Sequence, residues 1–294
     1  MMAKSLAASG ARYGELLARH TTWRVGGPAD VFYTPSDLPA LAAFLRDYQG
    51  DTIVWLGLGS NVLIRDGGIR GAVIAPAGGL SGLKWDDRSV YAQAGVPLAK
   101  LARQCADRGL AGLEFFAGIP GTVGGALAMN AGASGSDTWS HVASVVTMDR
   151  QGEIRIRPPA DFRVAYRSVE GPAQEWFVAA TFKLSHGDSE ESKRRIREHL
   201  AIRNRTQPMQ TANAGSVFRN PPGDFAARLI EAAGLKGWRE GGAVVSERHA
   251  NFIVNEGRAC ASDIERLISR IQTAVQERAG VLLEREVRIM GERA

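Results

Sequence analysis

A glycine-rich stretch near the middle of the chain constrains the fold more than any other feature. Residues 117–135 read AGIPGTVGGALAMNAGASG, with six glycines among small residues and one proline. Glycine lacks a Cβ atom, so its backbone can adopt positive φ and lie close to another molecule. The exposed amides of such a segment suit a diphosphate. Apolar residues recur at Ile119, Val123, Leu127 and Met129, which argues against a solvated linker. We therefore expect a structured loop that binds a nucleotide cofactor.

Length and composition indicate a globular chain of two or three domains. The chain has 294 residues, of which 45% are hydrophobic and 23% are charged, as is usual for a protein with a sizeable core. No apolar run is long enough to span a bilayer, and the N-terminal residues lack the apolar region of a signal peptide. Only two cysteines occur, too few for a disulfide framework. We expect a reduced, cytoplasmic protein without a membrane partner.

The net charge of +5 admits two interpretations. One is a nucleic-acid-binding protein, and the other is an enzyme whose ligands carry several phosphates. No aromatic-basic module and no zinc-finger spacing is present, so we expect no nucleic-acid partner. The five histidines are scattered, without ligand spacing to a cysteine or a carboxylate, and we expect no metal site.

The alternation of apolar and polar residues indicates mixed helices and strands. A buried strand over residues 52–56 leads into a Gly-Ser-Asn turn, and Asp149–Gly152 is typical of a hairpin turn. A helix is predicted over residues 262–280, with Ser262 and Glu265 as a capping box. Residues 281–290 are predicted to form one strand. On that strand Glu284 and Glu286 would face the same side.

The residues that could carry chemistry have ordinary interpretations when each is taken alone. The Gly57–Asn61 turn lacks the third glycine and the helix of a dinucleotide-binding fingerprint, so it fits a hairpin turn. Ser216 fits a turn serine, Glu286 a solvated strand residue and Arg167 a surface salt-bridge arginine. From the residues alone, the prediction is a nucleotide-binding α+β protein.

Taken together, the motifs resemble those of the UDP-N-acetylenolpyruvoylglucosamine reductase family, flavoenzymes of peptidoglycan precursor synthesis. The resemblance covers nearly the whole chain, and its motifs occur in order. They are His20-Thr21-Thr22 with Gly26-Gly27-Pro28-Ala29-Asp30, Leu56-Gly57 with Gly59-Ser60-Asn61, Gly112-Leu113-Glu114-Phe115 with Asn130-Ala131-Gly132, Tyr166-Arg167-Ser168, Gly215-Ser216-Val217-Phe218, Gly234-Leu235-Lys236-Gly237, His249-Ala250-Asn251-Phe252-Ile253-Val254-Asn255, and Glu286-Val287 with Gly291.

The resemblance implies an α+β fold that contains an FAD-binding fold of the vanillyl-alcohol-oxidase (PCMH) type. Two FAD-binding subdomains would span residues 1–75, joined by the strand 281–294, and residues 76–205. A substrate-binding α+β domain would span residues 206–280. The turn near Gly57 and the loop 118–125 would hold the FAD diphosphate through backbone amides, and Arg203 would add a cation. The implied cofactor-binding residues are Leu56, Gly57, Gly59, Ser60, Asn61, Val62, Gly118, Pro120, Gly121, Val123, Gly124, Gly125, Asn130, Gly132 and Arg203.

The resemblance also implies a reaction and roles for the catalytic residues. NADPH would supply a hydride through FAD to C3 of the enolpyruvyl ether of UDP-N-acetylglucosamine enolpyruvate, giving UDP-N-acetylmuramate. Ser216 would donate a proton to C2. Arg167 and Glu286 would polarise the carboxylate, and Glu286 would carry or share a proton. Tyr166, Asn220, Lys236 and His249 would bind the substrate.

Two departures from the family pattern affect the expectations. The spacing from Arg167 to Ser216 is short, which resembles the subtype without the loop whose tyrosine closes over the substrate. No histidine matches a covalent flavin attachment, so we expect dissociable FAD, and we expect a monomer. The alternatives are a flavin oxidase of the same fold and a nucleotide-binding or RNA-binding module without catalysis.

Overall fold

The structure, a computed structural model, describes residues 10–294. Residues 1–9, part of the N-terminal stretch for which we expect no signal peptide, lie outside the described residues. The α-helices of the described residues are α1 (Leu38–Asp47), α2 (Leu98–Asp107), α3 (Val123–Met129), α4 (Ser189–Thr206), α5 (Ala226–Ala232) and α6 (Ala261–Ala279).

The strands are short and spread over the whole described chain. They are β1 (Arg12–Leu16), β2 (Pro28–Tyr33), β3 (Ile53–Trp55), β4 (Val62–Ile64), β5 (Ile69–Ile74), β6 (Leu83–Asp86), β7 (Ser89–Gln93), β8 (Leu110–Ala111), β9 (Gly132–Ala133), β10 (Ser136–Asp137), β11 (Val142–Asp149), β12 (Ile154–Arg157), β13 (Arg163–Ala165), β14 (Ser168–Glu170), β15 (Glu175–Lys183), β16 (Ser185–His186), β17 (Arg239–Glu240), β18 (Ala243–Val245), β19 (Ile253–Asn255) and β20 (Arg288–Met290).

The chain divides into two compact units, each made of segments that are distant in sequence. The described part of the first unit comprises residues 10–13, 31–58 and 71–202. The second unit comprises residues 14–30, 59–70 and 203–294.

A five-stranded antiparallel sheet, with strand order β12-β11-β15-β7-β6, organises the first unit. The predicted turn at Asp149–Gly152 is confirmed, because it joins β11 to β12 in an antiparallel pair. Gly152 has φ +77°, and the Asp149 carboxylate accepts hydrogen bonds from the amides of Gln151 and Glu153. Helices α2 and α3 pack buried side chains against β7 and β15. Helix α1 packs through Leu41, Phe44 and Leu45 in a separate cluster.

A second group of strands in the first unit leads to the predicted cofactor turn. Strands β3 and β5 pair in parallel over residues 53–55 and 72–74, and the Tyr33 carbonyl of β2 accepts a hydrogen bond from Ala75. The apolar strand predicted over residues 52–56 is therefore present as β3, and the chain leaves it at Leu56 and Gly57.

The second unit has a core built around α6. Ile264, Leu267, Ile268 and Ile271 are buried on one face of this helix, as the periodicity predicts. They pack in one apolar cluster with α5, β18 and β19, and with Trp23, whose Nε1 donates to the Ile253 carbonyl at 2.7 Å. Strand β20 pairs in parallel with β4.

The predicted cap of α6 is wrong in its residues. The helix begins at Ala261, one residue earlier than predicted, so its third position is Asp263 and the capping box joins Cys260 to Asp263. The Asp263 carboxylate accepts a hydrogen bond from the Cys260 amide at 3.1 Å. Glu265 instead forms an ion pair with Arg65 at 2.8 Å. The Asp66 carboxylate accepts hydrogen bonds from the Ala261 and Ser262 amides, which favours the earlier start, and Glu265 then lies beyond the third helical position that a capping box needs.

The predicted strand over residues 281–290 is also wrong in most of its length. Only residues 288–290 form a strand, and residues 281–287 make isolated backbone contacts rather than a ladder. Leu283 and Val287 are buried, four residues apart, whereas the Glu284 side chain is 77% exposed. The argument that Glu284 and Glu286 share one face of a strand therefore does not hold. Burial of Leu283 and Val287, rather than strand pairing, determines the path of this segment.

Two features, a membrane-spanning helix and a cluster of metal ligands, are absent from the described residues 10–294. No helix in this range combines the length and the apolar character needed to cross a membrane. In the same range, no group of three or more histidine, cysteine or acidic side chains is arranged to hold a metal ion.

Candidate active site

The glycine-rich stretch forms a short 3₁₀ turn, a loop and helix α3. The turn spans Glu114–Gly118, and Thr122 caps α3 by accepting a hydrogen bond from the Gly125 amide at 3.4 Å. At Gly124 a Cβ atom would lie 3.0 Å from the Ala94 Cβ, so glycine permits α3 to lie this close to the segment after β7. Asn130 ends the helix in the left-handed region, with φ +42°.

The fold itself uses several of the amides predicted to bind a diphosphate. Val123 donates to the Val96 carbonyl at 3.0 Å and Gly124 to the Ala94 carbonyl at 2.9 Å. The Gly125 amide donates to the cap hydroxyl of Thr122. The Gly121 amide, in contrast, has no hydrogen-bond partner within the described part of the chain. The Ile119 amide donates to the Phe116 carbonyl at 3.0 Å and Pro120 has no amide hydrogen, so Gly121 carries the amide of this loop that is best placed to bind a ligand.

The turn after β3 meets this loop within the first unit. A Cβ atom at Gly57 would lie 2.9 Å from the Thr122 Oγ1, which leaves no room for a larger residue. Leu56, which is 1% exposed, donates its amide to the Ile74 carbonyl at 2.9 Å and anchors the turn to β5. Two segments that the sequence predicts to bind one cofactor are thus adjacent.

The rest of the Gly-Ser-Asn turn lies in the second unit, against the histidine-threonine motif. Gly59 has φ +63°, and a Cβ atom there would lie 2.2 Å from the His20 carbonyl oxygen. The Thr22 amide donates to the Gly59 carbonyl at 3.1 Å. Asn61 donates from Nδ2 to the Glu286 carbonyl at 3.2 Å, and its own carbonyl accepts from Arg288. Asn61 therefore ties the turn to the segment that carries Glu286.

Arg203 has the character expected of a cation in an anion-binding site. Its Nε donates to the Gln207 Oε1 at 2.8 Å. Burial lowers the pKa of Arg203, and within the described residues no carboxylate opposes that shift. A partly desolvated guanidinium without an acidic partner fits the diphosphate of FAD. Arg203 in the second unit and the narrow Gly57–Thr122 contact in the first unit are each compatible with this cofactor.

Tyr166 and Arg167 form the two-residue turn between β13 and β14. Arg167 has φ +55° and donates to the Gly132 carbonyl at 2.8 Å and to the Asn130 carbonyl at 3.3 Å. Asn130 in turn donates from Nδ2 to the Ala165 carbonyl at 3.3 Å. Arg167 thus holds the end of the glycine-rich stretch against this hairpin. Tyr166 remains 54% exposed, as suits a residue that contacts substrate.

Ser216 and Glu286 lie on adjacent segments of the second unit. The Glu286 amide donates to the Val217 carbonyl at 2.8 Å. Val217 directly follows Ser216, so this hydrogen bond joins the two segments. Gly215, with φ +74°, donates to the Asn213 Oδ1 at 2.9 Å and sets the turn before Ser216. The Ser216 hydroxyl has no partner within residues 10–294, and Ser216 is half-buried. This hydroxyl is available to a ligand.

The other predicted substrate residues of the second unit have local partners. The Asn220 Oδ1 accepts from the Ala226 amide at 3.1 Å, at the start of α5. Lys236 forms an ion pair with Glu231 at 2.6 Å. His249 Nδ1 lies 3.3 Å from the Asn251 amide. Burial lowers the pKa of His249, and the nearby Lys236 ammonium lowers it further. The ring is therefore a neutral hydrogen-bonding group near neutral pH.

The predicted site residues fall into both units. Those of the first unit are Leu56, Gly57, Gly118, Pro120, Gly121, Val123, Gly124, Gly125, Asn130, Gly132, Tyr166 and Arg167. Those of the second unit are Gly59, Ser60, Asn61, Val62, Arg203, Ser216, Asn220, Lys236, His249 and Glu286. The structure places the segment of Ser216 next to the segment of Glu286, and it places Gly57 next to the glycine-rich stretch. That Arg167 converges with Ser216 and Glu286 stays a prediction.

Sequence reasoning gave no role to two residues that shape these segments. Thr122 places its hydroxyl against Gly57 while it caps α3. Asn251, which is 3% exposed, pairs its carboxamide with the backbone of Phe218. An asparagine inside the apolar run Ala250–Val254 was a signal for Asn251, because a buried amide needs partners. Thr122 gave no such signal.

Comparisons with known proteins agree over both parts of the chain. A family model described as an FAD binding domain matches residues 29–156, and one described as the C-terminal domain of UDP-N-acetylenolpyruvoylglucosamine reductase matches residues 207–290. The reductase of Alkalilimnicola ehrlichii is 57% identical over 96% of this chain and 95% of its own. That of Methylococcus capsulatus is 56% identical, over 95% and 92%.

Solved structures give the same result. The crystal structure of UDP-N-acetylenolpyruvylglucosamine reductase from Thermus caldophilus matches with a TM-score of 0.82 and 36% identity, over 94% of this chain and 97% of that chain. A berberine bridge enzyme variant matches in fold alone, with a TM-score of 0.51 and 15% identity over 64% of this chain and 44% of that chain. The predicted fold class, an FAD-binding α+β fold followed by a C-terminal α+β domain, is confirmed. The chain belongs to the family of UDP-N-acetylenolpyruvoylglucosamine reductases and is an oxidoreductase.

Proposed function

We propose that this protein reduces the enolpyruvyl ether of UDP-N-acetylglucosamine enolpyruvate to UDP-N-acetylmuramate, with NADPH as the reductant. The names of its relatives support the substrate class. The observation that carries the mechanism is the hydrogen bond from the Glu286 amide to the Val217 carbonyl. It joins the segments that carry Ser216 and Glu286, which supports a site to which both residues contribute.

The residues that would hold FAD are those around Gly57 and the loop 118–121, with Arg203 as a cation for the diphosphate. When bound, FAD supplies the hydride chemistry, taking a hydride from NADPH and passing it to C3 of the enolpyruvyl group. The chain's contribution is to bind the cofactor through main-chain amides and one guanidinium. No residue matches a covalent attachment, so the cofactor is dissociable.

Ser216 would protonate C2 of the substrate. A serine hydroxyl is a weak acid in water, so its proton moves only to a carbon that already bears negative charge, and from a fixed position. The hydroxyl meets the second condition, because hydrogen bonds hold the residues on both sides of it: Gly215 to Asn213, and Val217 to Asn251 and Glu286.

Arg167 and Glu286 would favour that charge by binding the substrate carboxylate. A guanidinium can bind a carboxylate with two parallel hydrogen bonds. Glu286 can help only if it carries or shares a proton, since an ionised carboxylate would oppose the negative charge that builds up on C2. Its role is therefore to donate a hydrogen bond to the substrate carboxylate.

Tyr166, Asn220, Lys236 and His249 would bind the sugar nucleotide. Lys236 offers an ammonium to a phosphate, and the neutral imidazole of His249 offers a hydrogen bond without adding charge. We also propose the domain division given above, at residues 75, 205 and 280, together with a monomeric, cytoplasmic enzyme. The short spacing from Arg167 to Ser216 supports membership of the subtype without the tyrosine loop.

The experiment that tests this function uses the purified holoprotein without oxygen. We expect flavin absorbance that NADPH bleaches, and that the enolpyruvyl sugar nucleotide then restores with formation of UDP-N-acetylmuramate. Rapid recovery with oxygen and none with the sugar nucleotide would instead indicate a flavin oxidase. A colourless protein that takes up no FAD would indicate a binding module without catalysis.

A further inference from the structure

The segment that carries Ser216 pairs with a bridged backbone segment on one side and makes a single backbone hydrogen bond on the other. On the bridged side, Glu286 donates to the Val217 carbonyl at 2.8 Å and Arg219 donates to the Glu284 carbonyl at 2.9 Å. Phe218 and Arg285 form an antiparallel bridge there. On the other side the Val217 amide donates to the Asn251 carbonyl at 2.9 Å. Within residues 10–294, no strand on this side continues the backbone pairing of the Ser216 segment beyond that hydrogen bond.

The side chain of Asn251 takes the place of the missing strand. Its Oδ1 accepts a hydrogen bond from the Phe218 amide at 2.9 Å, and its Nδ2 donates to the Phe218 carbonyl at 2.8 Å. A carboxamide is one of the few side chains that can accept and donate through adjacent atoms, as a strand backbone does. Asn251 is 3% exposed and Phe218 is 1% exposed, so water cannot replace these bonds.

We infer that Asn251 is a positioning residue for proton donation. By holding Val217 and Phe218 through three hydrogen bonds, it fixes the backbone that carries the Ser216 hydroxyl. This inference rests on the proposed function, because it assumes that Ser216 donates a proton to the substrate. Asn251 itself touches neither the substrate nor the cofactor in this role.

The inference predicts which step of the reaction depends on Asn251. Replacing it with alanine leaves the Phe218 amide and carbonyl without partners in a buried place. The segment then moves to recover hydrogen bonds, and the hydroxyl leaves its productive position. An error of about 1 Å in the placement of a reacting group can slow a step by about 100-fold. The step in which NADPH reduces the flavin needs no proton from Ser216 and is spared.

The test compares the two half-reactions by stopped-flow absorbance in holoprotein. In Asn251→Ala we expect the step with the sugar nucleotide to slow by about 10- to 100-fold. Its solvent deuterium isotope effect should rise, because proton donation then limits the rate. Reduction by NADPH and retention of FAD should stay within about 2-fold. An unchanged rate with the sugar nucleotide would overturn the inference.

A matched control separates positioning from general stability. Asn255 is also a buried asparagine of the second unit, with Nδ2 donating to the Trp23 carbonyl at 2.8 Å and Oδ1 accepting from Gly257 and Ala259. Asn255→Ala should lower the melting temperature as Asn251→Ala does, but leave the isotope effect unchanged. Equal changes in isotope effect for both variants would show that Asn251 has only a structural role.

A conservative variant adds a readout that depends on pH. In Asn251→Asp an ionised carboxylate accepts from the Phe218 amide but cannot donate to its carbonyl. Once protonated, the introduced carboxyl can do both. We expect the step with the sugar nucleotide to recover relative to the unsubstituted protein as the pH falls. A constant ratio between the two proteins over the pH range would contradict the inference.

A double-mutant cycle distinguishes failure of the inference from failure of the proposed function. If Asn251 acts through Ser216, Asn251→Ala should add little to the loss already caused by Ser216→Ala. Full additivity of the two losses would show that Asn251 acts by another route. If Ser216→Ala alone left the step unchanged, the proposed role of Ser216 would be wrong, whatever the effect of Asn251.

Discussion

At the scale of single residues, the position of Ser216 is set by hydrogen bonds of the neighbouring peptides and not by its own hydroxyl. Ser216 keeps its hydroxyl available because the peptides around it are bound to Asn213, Asn251 and Glu286. Arg167 shows the opposite arrangement, since its guanidinium already binds the Asn130 and Gly132 carbonyls. In the proposed role of Arg167, a substrate carboxylate would have to bind alongside these carbonyls or displace them.

Ser216→Ala tests the proton donor directly. Loss of a positioned proton donor costs about 10²- to 10⁴-fold in rate, and we expect that loss in the step with the sugar nucleotide. Reduction of the flavin by NADPH should remain within about 2-fold, because that step transfers no proton from Ser216. Stopped-flow absorbance measures both steps, and Ser269→Ala, on the exposed side of α6, is the control. Equal slowing of both steps would contradict the assignment.

The lowered pKa of His249 predicts a pH dependence of stability. Burial lowers this pKa in the folded protein, so the unfolded chain binds more protons below its own histidine pKa of about 6.5. Protonation then favours unfolding, and stability falls as the pH drops through this value. His249→Gln should lessen the fall in melting temperature between neutral and mildly acidic pH. His186→Gln, at an exposed position, should leave it unchanged; an unaltered fall in His249→Gln would contradict the prediction.

At the scale of elements, the sequence predicted the interiors of helices and strands well and their boundaries poorly. The strand predicted over residues 52–56 occurs as β3, and the hairpin of β11 and β12 occurs at the predicted turn. The apolar face of α6 also occurs as predicted, because buried periodicity is a local property. The start of α6 was misplaced because Asp66, far away in sequence, accepts hydrogen bonds from the first two amides of the helix. The strand over residues 281–287 is absent because Leu283 and Val287 are buried without strand pairing.

The corrected cap of α6 makes a stability prediction. Asp263 accepts from the amides of Cys260 and Gly242 and pairs with Arg266 at 2.5 Å, so Asp263→Ala should cost about 1–2 kcal/mol in free energy of unfolding. Ser262→Ala, at the cap predicted from sequence, should change it by less than about 0.5 kcal/mol. Denaturant unfolding measures both variants. A larger loss of unfolding free energy for Ser262→Ala than for Asp263→Ala would support the cap predicted from the sequence and contradict the corrected one.

The contact between Gly57 and Thr122 links two elements and makes a prediction about cofactor affinity. In Gly57→Ala the new Cβ would lie 2.9 Å from the Thr122 Oγ1 and 3.9 Å from its Cβ. One of the two segments must shift, so we expect weaker FAD binding, by about 10-fold. With Thr122→Ala in the background the crowding atom is gone, and Gly57→Ala should have little further effect. Titration of apoprotein with FAD measures the affinities; equal effects in both backgrounds would exclude this contact as the cause.

At the scale of the whole molecule, much of the site is assembled from segments far apart in sequence. Glu286 is hydrogen-bonded to Val217, the residue after Ser216, from a distant part of the sequence. Asn61 is hydrogen-bonded to Glu286, and 225 positions separate the two in sequence. Periodicity and local propensity carry no information on such pairs, so the residues alone indicated only a nucleotide-binding protein. The ordered motifs indicated the family, and the structure added the backbone bond between the segments of Ser216 and Glu286 and the hydrogen bonds of Asn251.

The positive charge of the chain leads to a last prediction, on FAD binding through Arg203. The net charge is +5, yet many cations of the described residues are paired with acids on exposed surfaces, where such pairs contribute little. Arg203 differs, because burial alone shifts its pKa and Gln207, a neutral residue, is its side-chain partner. A guanidinium in this setting can form a strong charge-assisted hydrogen bond to a phosphate.

Arg203→Met should therefore weaken FAD binding by about 10- to 100-fold, the equivalent of a charge-assisted hydrogen bond of about 1.5–3 kcal/mol. It should also reduce the dependence of the affinity on salt, since one fewer cation faces the diphosphate. Arg205→Met, two residues further along the same helix at an exposed position, should change neither quantity. Fluorescence titration of apoprotein with FAD at low and high salt measures both. Equal losses in the two variants would mean that the general positive field of the molecule, rather than Arg203, attracts the cofactor.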